Sequence, residues 1–168
     1  RPRGWFGRTV MTRALNRARV DIRDSKQLSA SQRERVRDAA LDVGLHVSVV
    51  EVQVAEIDSI GLAAANRAAL ARAANALVPG PTFVLVDAFR LDAVECNHEP
   101  IVRGDACCVS IALASIVAKV HRDALMRRLD LELPAYGFGE HKGYGTAAHA
   151  KAIARHGISP GHRRSFAP

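Results

Sequence analysis

Two aspartates occupy the positions where an α/β protein usually carries its chemistry. Asp87 directly follows the all-apolar run at residues 83–86, which predicts a strand buried on both faces. Asp105 lies just ahead of the longest apolar-periodic run, which predicts a helix to about residue 131. Functional groups in α/β folds gather at the carboxyl ends of strands and the starts of helices, so we expect the two carboxylates to meet at one rim. Their oxygens suit Mg²⁺ or Mn²⁺, which keep several waters and bind substrate phosphate.

Asp105 also has a simpler interpretation. Asp105 can be an N-cap, because its side chain could accept backbone N–H groups and the helix dipole favours a negative charge there. Two carboxylates are also few for a site with two metal ions, where we expect three or four. These residues alone leave both interpretations open.

The remaining pattern predicts alternating strands and helices, and therefore an α/β fold. Ser29 or Ser31 begins a helix that ends at Gly44, and Thr146 begins the last helix, which ends at His156. Between them we predict a strand at 46–54, a helix at 57–77, a strand at 83–86, a loop at 88–100, a short strand at 101–102 and a Gly-rich loop at 136–145.

The positive charge is concentrated at the two ends of the chain. Residues 1–23 contain seven Arg and one Asp, whereas residues 24–140 contain 12 basic and 16 acidic residues. Residues 141–168 contain five basic residues, four His and no acidic residue. A basic tail beside an acidic body suits a protein that binds a polyanion, although a merely solvated basic end is the alternative.

Composition limits the class of protein. A length of 168 residues suits one domain, and no apolar run reaches the roughly 18 residues of a membrane span. There is no signal-peptide pattern, and the three cysteines form no CxxC motif. We therefore expect a cytoplasmic monomer, with no zinc site and no membrane association.

The aromatic and histidine residues near the C-terminus offer no clear ligand set. Four histidines, His141, His149, His156 and His162, have spacings that suit no metal site, so we expect phosphate contacts or surface positions for them. We assign Tyr136, Phe138 and Phe166 to packing.

Six stretches from residue 24 onward form a distinctive set: DSKQLS (24–29), VLVDAFR (84–90), IVRGD (101–105), SIALASIVAKVHRD (110–123), YGFGEHKGYGT (136–146) and HRRSFAP (162–168). In these stretches the chain resembles bacterial ribonuclease HII, the type 2 ribonuclease H. The combination of HKGYGT with a later HRxSFAP is highly specific. The resemblance implies a ribonuclease H-like α/β fold, with a mixed sheet flanked by helices and a helical C-terminal part.

The resemblance also implies an activity. Family members are endonucleases that cut the RNA strand of RNA–DNA hybrids and single ribonucleotides in duplex DNA. They use Mn²⁺ or Mg²⁺ and leave 3′-hydroxyl and 5′-phosphate ends. The implied partners of this chain are therefore RNA–DNA hybrid and ribonucleotide-containing duplex DNA.

Several residues match the functional positions of the family. Asp87 and Asp105 match two of its four metal-binding carboxylates, and Tyr144 matches the tyrosine that packs on the sugar at the ribo–deoxyribo junction. Ser25 and Lys26 match a segment that holds backbone phosphate, although Lys26 could simply be solvated beside a helix start. Further candidates for phosphate contacts are Lys142, Arg163 and Arg164.

The N-terminus departs from the family pattern. The family begins with an Asp-Glu pair in a D-E-x-G-R-G motif on its first strand, and the nearest echo here, GWFGRT at 4–9, has neither acid. We divide the chain into an atypical Arg-rich segment, 1–23, and a catalytic domain, 24–168, and expect the N-terminal strands to be absent or altered. Three interpretations remain: a truncated or frame-shifted copy, an impaired homologue that only binds nucleic acid, or replacement ligands at Asp21 or Asp24.

Overall fold

The computed structural model describes Ile22 and residues 25–165. The Arg-rich segment 1–23, Asp21, Asp24 and Phe166 therefore lie outside the described residues, apart from Ile22. By its internal contacts the chain divides into two compact units. The first contains Arg1–Val50 and Arg67–Val120, and the second contains Glu51–Asn66 and His121–Pro168.

Helices make up most of the described chain. The α-helices are α1 (Ala30–Asp42), α2 (Val54–Ile60), α3 (Leu62–Asn75), α4 (Gly104–Cys107), α5 (Val109–Glu132), α6 (Phe138–His141) and α7 (Ala147–His156). The strands are β1 (Phe83–Asp87) and β2 (Asn97–Ile101), and single 3₁₀ turns span Ser25–Gln27 and Pro134–Tyr136. No helix in this part of the chain is long and apolar enough to cross a membrane.

Local capping signals predicted two helix starts correctly. Ser29 caps α1 in a capping box, in which the Ser29 hydroxyl accepts the Gln32 N–H and the Gln32 side chain accepts the Ser29 N–H. Thr146 caps α7, because its hydroxyl accepts the His149 N–H at 3.2 Å. Both caps satisfy backbone donors that a helix start leaves unpaired.

The main core of the first unit joins α1 to the N-terminal part of α5. Its buried members are Leu28, Val36, Ala39, Ala40, Leu113, Ile116 and Val120. Ala39 and Ala40 of α1 are buried in this core, and Ile116 of α5 is fully buried. A second, smaller cluster packs Ala71 of α3 against Val86 of β1 and Leu91.

The described sheet consists of two parallel strands. β1 pairs with β2 in a register that sets Asp87 opposite Ile101, so both strands end at the same edge. The predicted loop at 88–100 was wrong at its end, because residues 97–100 pair with β1. Pro100 lacks an N–H group and is tolerated since β2 pairs on one side only among the described residues. The predicted burial of both faces of β1 was also wrong, because Phe83 and Leu85 are exposed.

Among the described residues, the strand predicted at 46–54 has no pairing partner. Residues 46–53 join no ladder within the described chain, and Val54 begins α2 instead. Their exposure alternates over residues 48–53, as the period-two pattern requires. The pattern predicted this alternation, but a ladder also needs a neighbouring strand, which local sequence does not specify.

Three further predictions of helix or loop boundaries needed correction. Gly61, with a φ of 81°, separates α2 from α3 within the single helix predicted at 57–77. The long helix predicted from residue 105 breaks at Cys108, where the backbone is extended. The predicted loop at 136–145 contains α6, which lies between left-handed residues at Gly137 and Lys142.

In the second unit, Asp58 of α2 binds the end of the described chain. Its carboxylate accepts the Arg164 and Ser165 N–H groups at 2.9 and 3.0 Å and the Ser165 hydroxyl at 2.6 Å. These donors, the hydroxyl most of all, lower the pKa of Asp58. The contact fixes the backbone that carries Arg163 and Arg164.

Replacing Ile116 with Ala should lower the free energy of unfolding by about 2–5 kcal/mol, because the side chain is fully buried and leaves a cavity. Leu131→Ala on the same helix is the control: Leu131 is 84% exposed, so its loss should stay within about 0.5 kcal/mol. Urea unfolding of both variants measures the difference. Equal losses would contradict the core described above.

Candidate active site

Asp87 and Asp105 lie on either side of Gly104. The Gly104 N–H donates to Asp87 Oδ1 at 2.8 Å, and Asp105 is the next residue in the chain. This arrangement follows from the sheet, since β1 ends at Asp87 and β2 ends at Ile101, three residues before Gly104. The carboxyl ends of two parallel strands thus bring both aspartates to one edge.

The residue that caps the helix near Asp105 differs from the sequence-based hypothesis, which considered Asp105 itself as the N-cap. Arg103, with a φ of 56°, is the N-cap residue of α4, and Asp105 lies within the first turn. The N-cap interpretation of Asp105 was therefore wrong, because the left-handed residue Arg103, two positions earlier, occupies the N-cap position.

Backbone strain flanks both aspartates. Ala88, directly after Asp87, has a φ of 60°, and Arg103 precedes Gly104 in a similar left-handed conformation. Residues other than glycine rarely adopt this conformation, and such outliers concentrate at functional sites. The Ala88 N–H donates to the Ile101 carbonyl at 3.0 Å, which ties the strained turn to the end of β2.

Lys26 faces the same site. Its Nζ lies 3.6 Å from Asp105 Oδ2, and its side chain is 81% exposed. The neighbouring Ser25 is buried, and its hydroxyl hydrogen bonds to that of Ser115 on α5 at 3.0 Å. Ser25 therefore anchors the 3₁₀ turn from which Lys26 projects.

The donor chemistry around Gly104 fits a hard divalent cation. Asp87 and Asp105 are carboxylates, and one or two carboxylates commonly hold Mg²⁺ while water and substrate phosphate supply its remaining ligands. In the described residues, no group of three or more His, Cys, Asp or Glu side chains could hold a metal ion. The site therefore offers two protein carboxylates from this part of the chain.

Tyr144 lies in the second unit and has a fixed backbone. Its N–H donates to the His141 carbonyl at 2.9 Å, and its own carbonyl accepts the Thr146 N–H at 2.8 Å. His149 Nδ1 lies 3.0 Å from the same carbonyl. The tyrosine itself is 57% exposed, so a rigid backbone presents an accessible aromatic ring.

The expectation of surface or phosphate-binding histidines was wrong for three of the four. His141 and His149 are buried, His162 is half-buried, and the three rings lie against one another. Only tertiary structure joins them, because they come from α6, α7 and the tail. Their neighbours Tyr136 and Phe138 are buried and stacked at 5.5 Å, which confirms their packing role. His156 is exposed.

The remaining basic candidates have fixed backbones. Lys142 adopts a left-handed conformation, its Nζ donates to the Gly139 carbonyl, and its own carbonyl accepts from Arg122 Nη2 at 3.3 Å. The Arg164 N–H donates to Asp58, and Arg163 is the preceding residue.

Comparison with known proteins identifies the family. A family model described as Ribonuclease HII matches residues 10–168. The chain belongs to the ribonuclease HII family. The match begins after the GWFGRT stretch at 4–9, which therefore lies outside it.

Individual relatives agree with this assignment. Ribonuclease HII of Dehalococcoides mccartyi is 48% identical over 147 residues, which cover 88% of this chain and 69% of the relative. Ribonuclease HII of Rhodospirillum rubrum is 49% identical over 152 residues, which cover 90% of this chain and 69% of the relative. The predicted family is confirmed.

A solved structure supports the fold. The crystal structure of the ribonuclease H2 from Pyrococcus horikoshii OT3 aligns with a TM-score of 0.73 at 24% identity, covering 92% of this chain and 82% of that one. The α/β, ribonuclease H-like fold with a helical C-terminal part is confirmed.

Gly104→Ala should lower the free energy of unfolding by about 1–3 kcal/mol, because a Cβ there would overlap with Ile111 Cδ1. A Cβ on Gly80 meets nothing within 4 Å, so Gly80→Ala is the matched control, expected within about 0.5 kcal/mol. Chemical denaturation compares the two variants. A Gly104→Ala protein as stable as the control would contradict the expected cost and would mean that the Ile111 side chain moves aside freely.

Proposed function

We propose that this chain is an endonuclease that cleaves the RNA strand of RNA–DNA hybrids and single ribonucleotides in duplex DNA by metal-dependent hydrolysis. The observation that carries the proposal is the pair of carboxylates, Asp87 and Asp105, held around Gly104 in a ribonuclease HII chain. We further propose that it acts as a monomer in the cytoplasm, a reducing compartment that suits the free thiols of Cys96, Cys107 and Cys108.

Asp87 and Asp105 are the proposed ligands of Mn²⁺ or Mg²⁺. The bound cation would supply water activation and stabilisation of the negative charge that develops on the phosphate. Asp87 is oriented for this role because one of its oxygens is fixed by the Gly104 N–H. Asp105 follows in the rigid first turn of α4.

Lys26 is the proposed phosphate contact nearest to the carboxylates. Its exposed ammonium group lies within ion-pair distance of Asp105 and carries the charge that a backbone phosphate requires. Ser25 supports this contact indirectly, since its buried hydroxyl binds Ser115 and fixes the turn. Additional phosphate contacts are proposed for Lys142, Arg163 and Arg164.

Tyr144 is the proposed reader of the ribose. A flat ring packed against a sugar can sense the 2′-hydroxyl, the group that distinguishes RNA from DNA. Its side chain is exposed, and its backbone N–H and carbonyl are both hydrogen-bonded. These features suit the role, because the ring can contact substrate without a backbone rearrangement.

Asp87→Asn and Asp105→Asn should each reduce cleavage of a duplex with one ribonucleotide by at least about 100-fold, because an amide is a poor ligand for a hard cation. Binding of the same duplex should change much less, since phosphate contacts supply most of it. Asp92→Asn, in an exposed loop, is the control and should retain wild-type activity. Cleavage with Mn²⁺ or Mg²⁺ and fluorescence anisotropy measure the two effects.

The outcomes separate the proposed enzyme from a binding protein. Cleavage that survives both substitutions would contradict the assignment of the carboxylates. A wild-type chain that binds the duplex tightly but never cuts it would contradict catalysis and favour an impaired homologue that only binds nucleic acid.

A further inference from the structure

A continuous series of hydrogen bonds leads to the backbone of Tyr144. The Ser159 N–H donates to His162 Nδ1 at 2.9 Å. His162 Nε2 lies 3.0 Å from His149 Nε2, and His149 Nδ1 lies 3.0 Å from the Tyr144 carbonyl oxygen. We call Ser159, His162 and His149 the imidazole relay.

The fixed donor at one end and the fixed acceptor at the other determine both tautomers. An amide N–H can only donate, so the Ser159 N–H assigns His162 Nδ1 as an acceptor. The Ser159 hydroxyl, 2.8 Å from the same nitrogen, can also donate to it, and the ring proton of His162 is then on Nε2. That proton is donated to His149 Nε2, which leaves the ring proton of His149 on Nδ1. His149 therefore donates to the Tyr144 carbonyl, and every bond in the relay has one donor and one acceptor.

The relay exists only while both imidazoles are neutral. A proton added to His162 would place an N–H at Nδ1, where it would face the Ser159 N–H and could donate only to the Ser159 hydroxyl. A proton added to His149 would set two N–H groups against each other at Nε2. Either change replaces a hydrogen bond with a repulsive contact.

His141 reinforces this requirement. Its Nδ1 accepts the Gly143 N–H at 3.2 Å, and its Nε2 donates to the Tyr136 carbonyl at 2.8 Å. Its ring stacks on that of His149 at 4.2 Å, with an angle of 17° between the planes. A charge on one ring would therefore oppose a charge on the next.

The surroundings of the relay favour the neutral rings. Phe138 lies 5.6 Å from His149 and 5.4 Å from His162 between ring centroids and forms an apolar wall. Burial, and then the neighbouring His149, lower the pKa of His162. No carboxylate among the described residues pairs with these rings. The titratable and charged groups on the surrounding segments are Arg122 and Asp130 of α5, Tyr136, Glu140 and His141 up to the end of α6, Lys142 and Tyr144 after it, Lys151, Arg155 and His156 of α7, and Arg163 of the tail.

We propose that His149 and His162 are positioning residues, which hold the Tyr144 backbone so that its ring meets the ribose at the ribo–deoxyribo junction. This inference rests on the proposed contact of Tyr144 with the substrate. It assigns to the relay the preference for a ribonucleotide over a deoxyribonucleotide, whereas the carboxylates around Gly104 carry the chemistry.

The sign of the pH dependence follows from the neutral rings. His162 binds its proton less readily in the folded chain than its ordinary pKa of 6.5 implies. The stability that the relay contributes is therefore complete above pH 6.5 and declines as the pH falls below that value. Preference for the ribonucleotide duplex should decline only at the more acidic pH at which His162 of the folded chain takes up its proton, because its pKa there is lowered.

The test compares three variants of the full chain. His149→Leu removes the donor, whereas His149→Asn retains an N–H near the position of Nδ1 but cannot be protonated. His46→Asn, at an exposed histidine, is the control. Anisotropy at pH 7.5 and 5.5 measures affinity for a duplex with one ribonucleotide and for the same duplex made entirely of DNA.

At pH 7.5, His149→Leu should lose roughly fivefold in its preference for the ribonucleotide duplex, as expected for one or two lost hydrogen bonds. His149→Asn should retain most of that preference and, at pH 5.5, should lose less of it than the wild-type chain. The His46→Asn variant should follow the wild type at both values. A preference unchanged in His149→Leu, or one lost equally in His149→Asn, would overturn the inference.

Histidine ring NMR tests the relay independently of any substrate. His149 should show the Nδ1–H tautomer and His162 the Nε2–H tautomer at pH 7.5, with a pKa for His162 below its ordinary value. The opposite tautomers would overturn the inference. A wild-type chain that shows these tautomers but has no preference for the ribonucleotide duplex would overturn the proposed reading of the ribose, and with it the assigned role of the relay.

Discussion

The hydrogen bond from the Gly104 N–H to Asp87 Oδ1 is the constraint on which the candidate active site depends. It joins the end of β1 to the start of α4, and Asp105 follows Gly104 directly. The parallel register supports it, because Asp87 and Ile101 lie opposite each other at one edge of the sheet. Carboxylates 18 positions apart in sequence are thus held around one peptide group.

This arrangement has a conformational cost. Left-handed conformations at Ala88 and Arg103 oppose folding, and any side chain at Gly104 would meet Ile111. The buried core of α1 and α5 offsets such strain, since Ile116 and its neighbours anchor α5 directly after the site. Rigidity is useful here because a cation bound by few protein ligands depends on their fixed orientation.

The sequence predicted those features that depend on a few neighbouring residues. Capping at Ser29 and Thr146 was correct because each cap is formed by residues three positions apart. The strand predicted at 46–54 has no partner among the described residues, and strand pairing depends on a distant part of the chain. Likewise, His149 and His162 meet only after α7 and the tail fold back on each other. The sequence shows the aromatic and glycine residues near both histidines, but it does not show this contact. The roles of Asp87 and Asp105 stay predictions, although the sheet brings both to one edge as the sequence predicted.

The most direct test of the central claim is the chemistry of the ends produced from a duplex with one ribonucleotide. Water-mediated hydrolysis at the carboxylates around Gly104 predicts a metal-dependent nick with a 3′-hydroxyl and a 5′-phosphate. Gel mapping before and after phosphatase treatment distinguishes these ends. A 2′,3′-cyclic phosphate would contradict the account, because it shows attack by the ribose 2′-hydroxyl, and so would a nick that persists in the presence of a metal chelator.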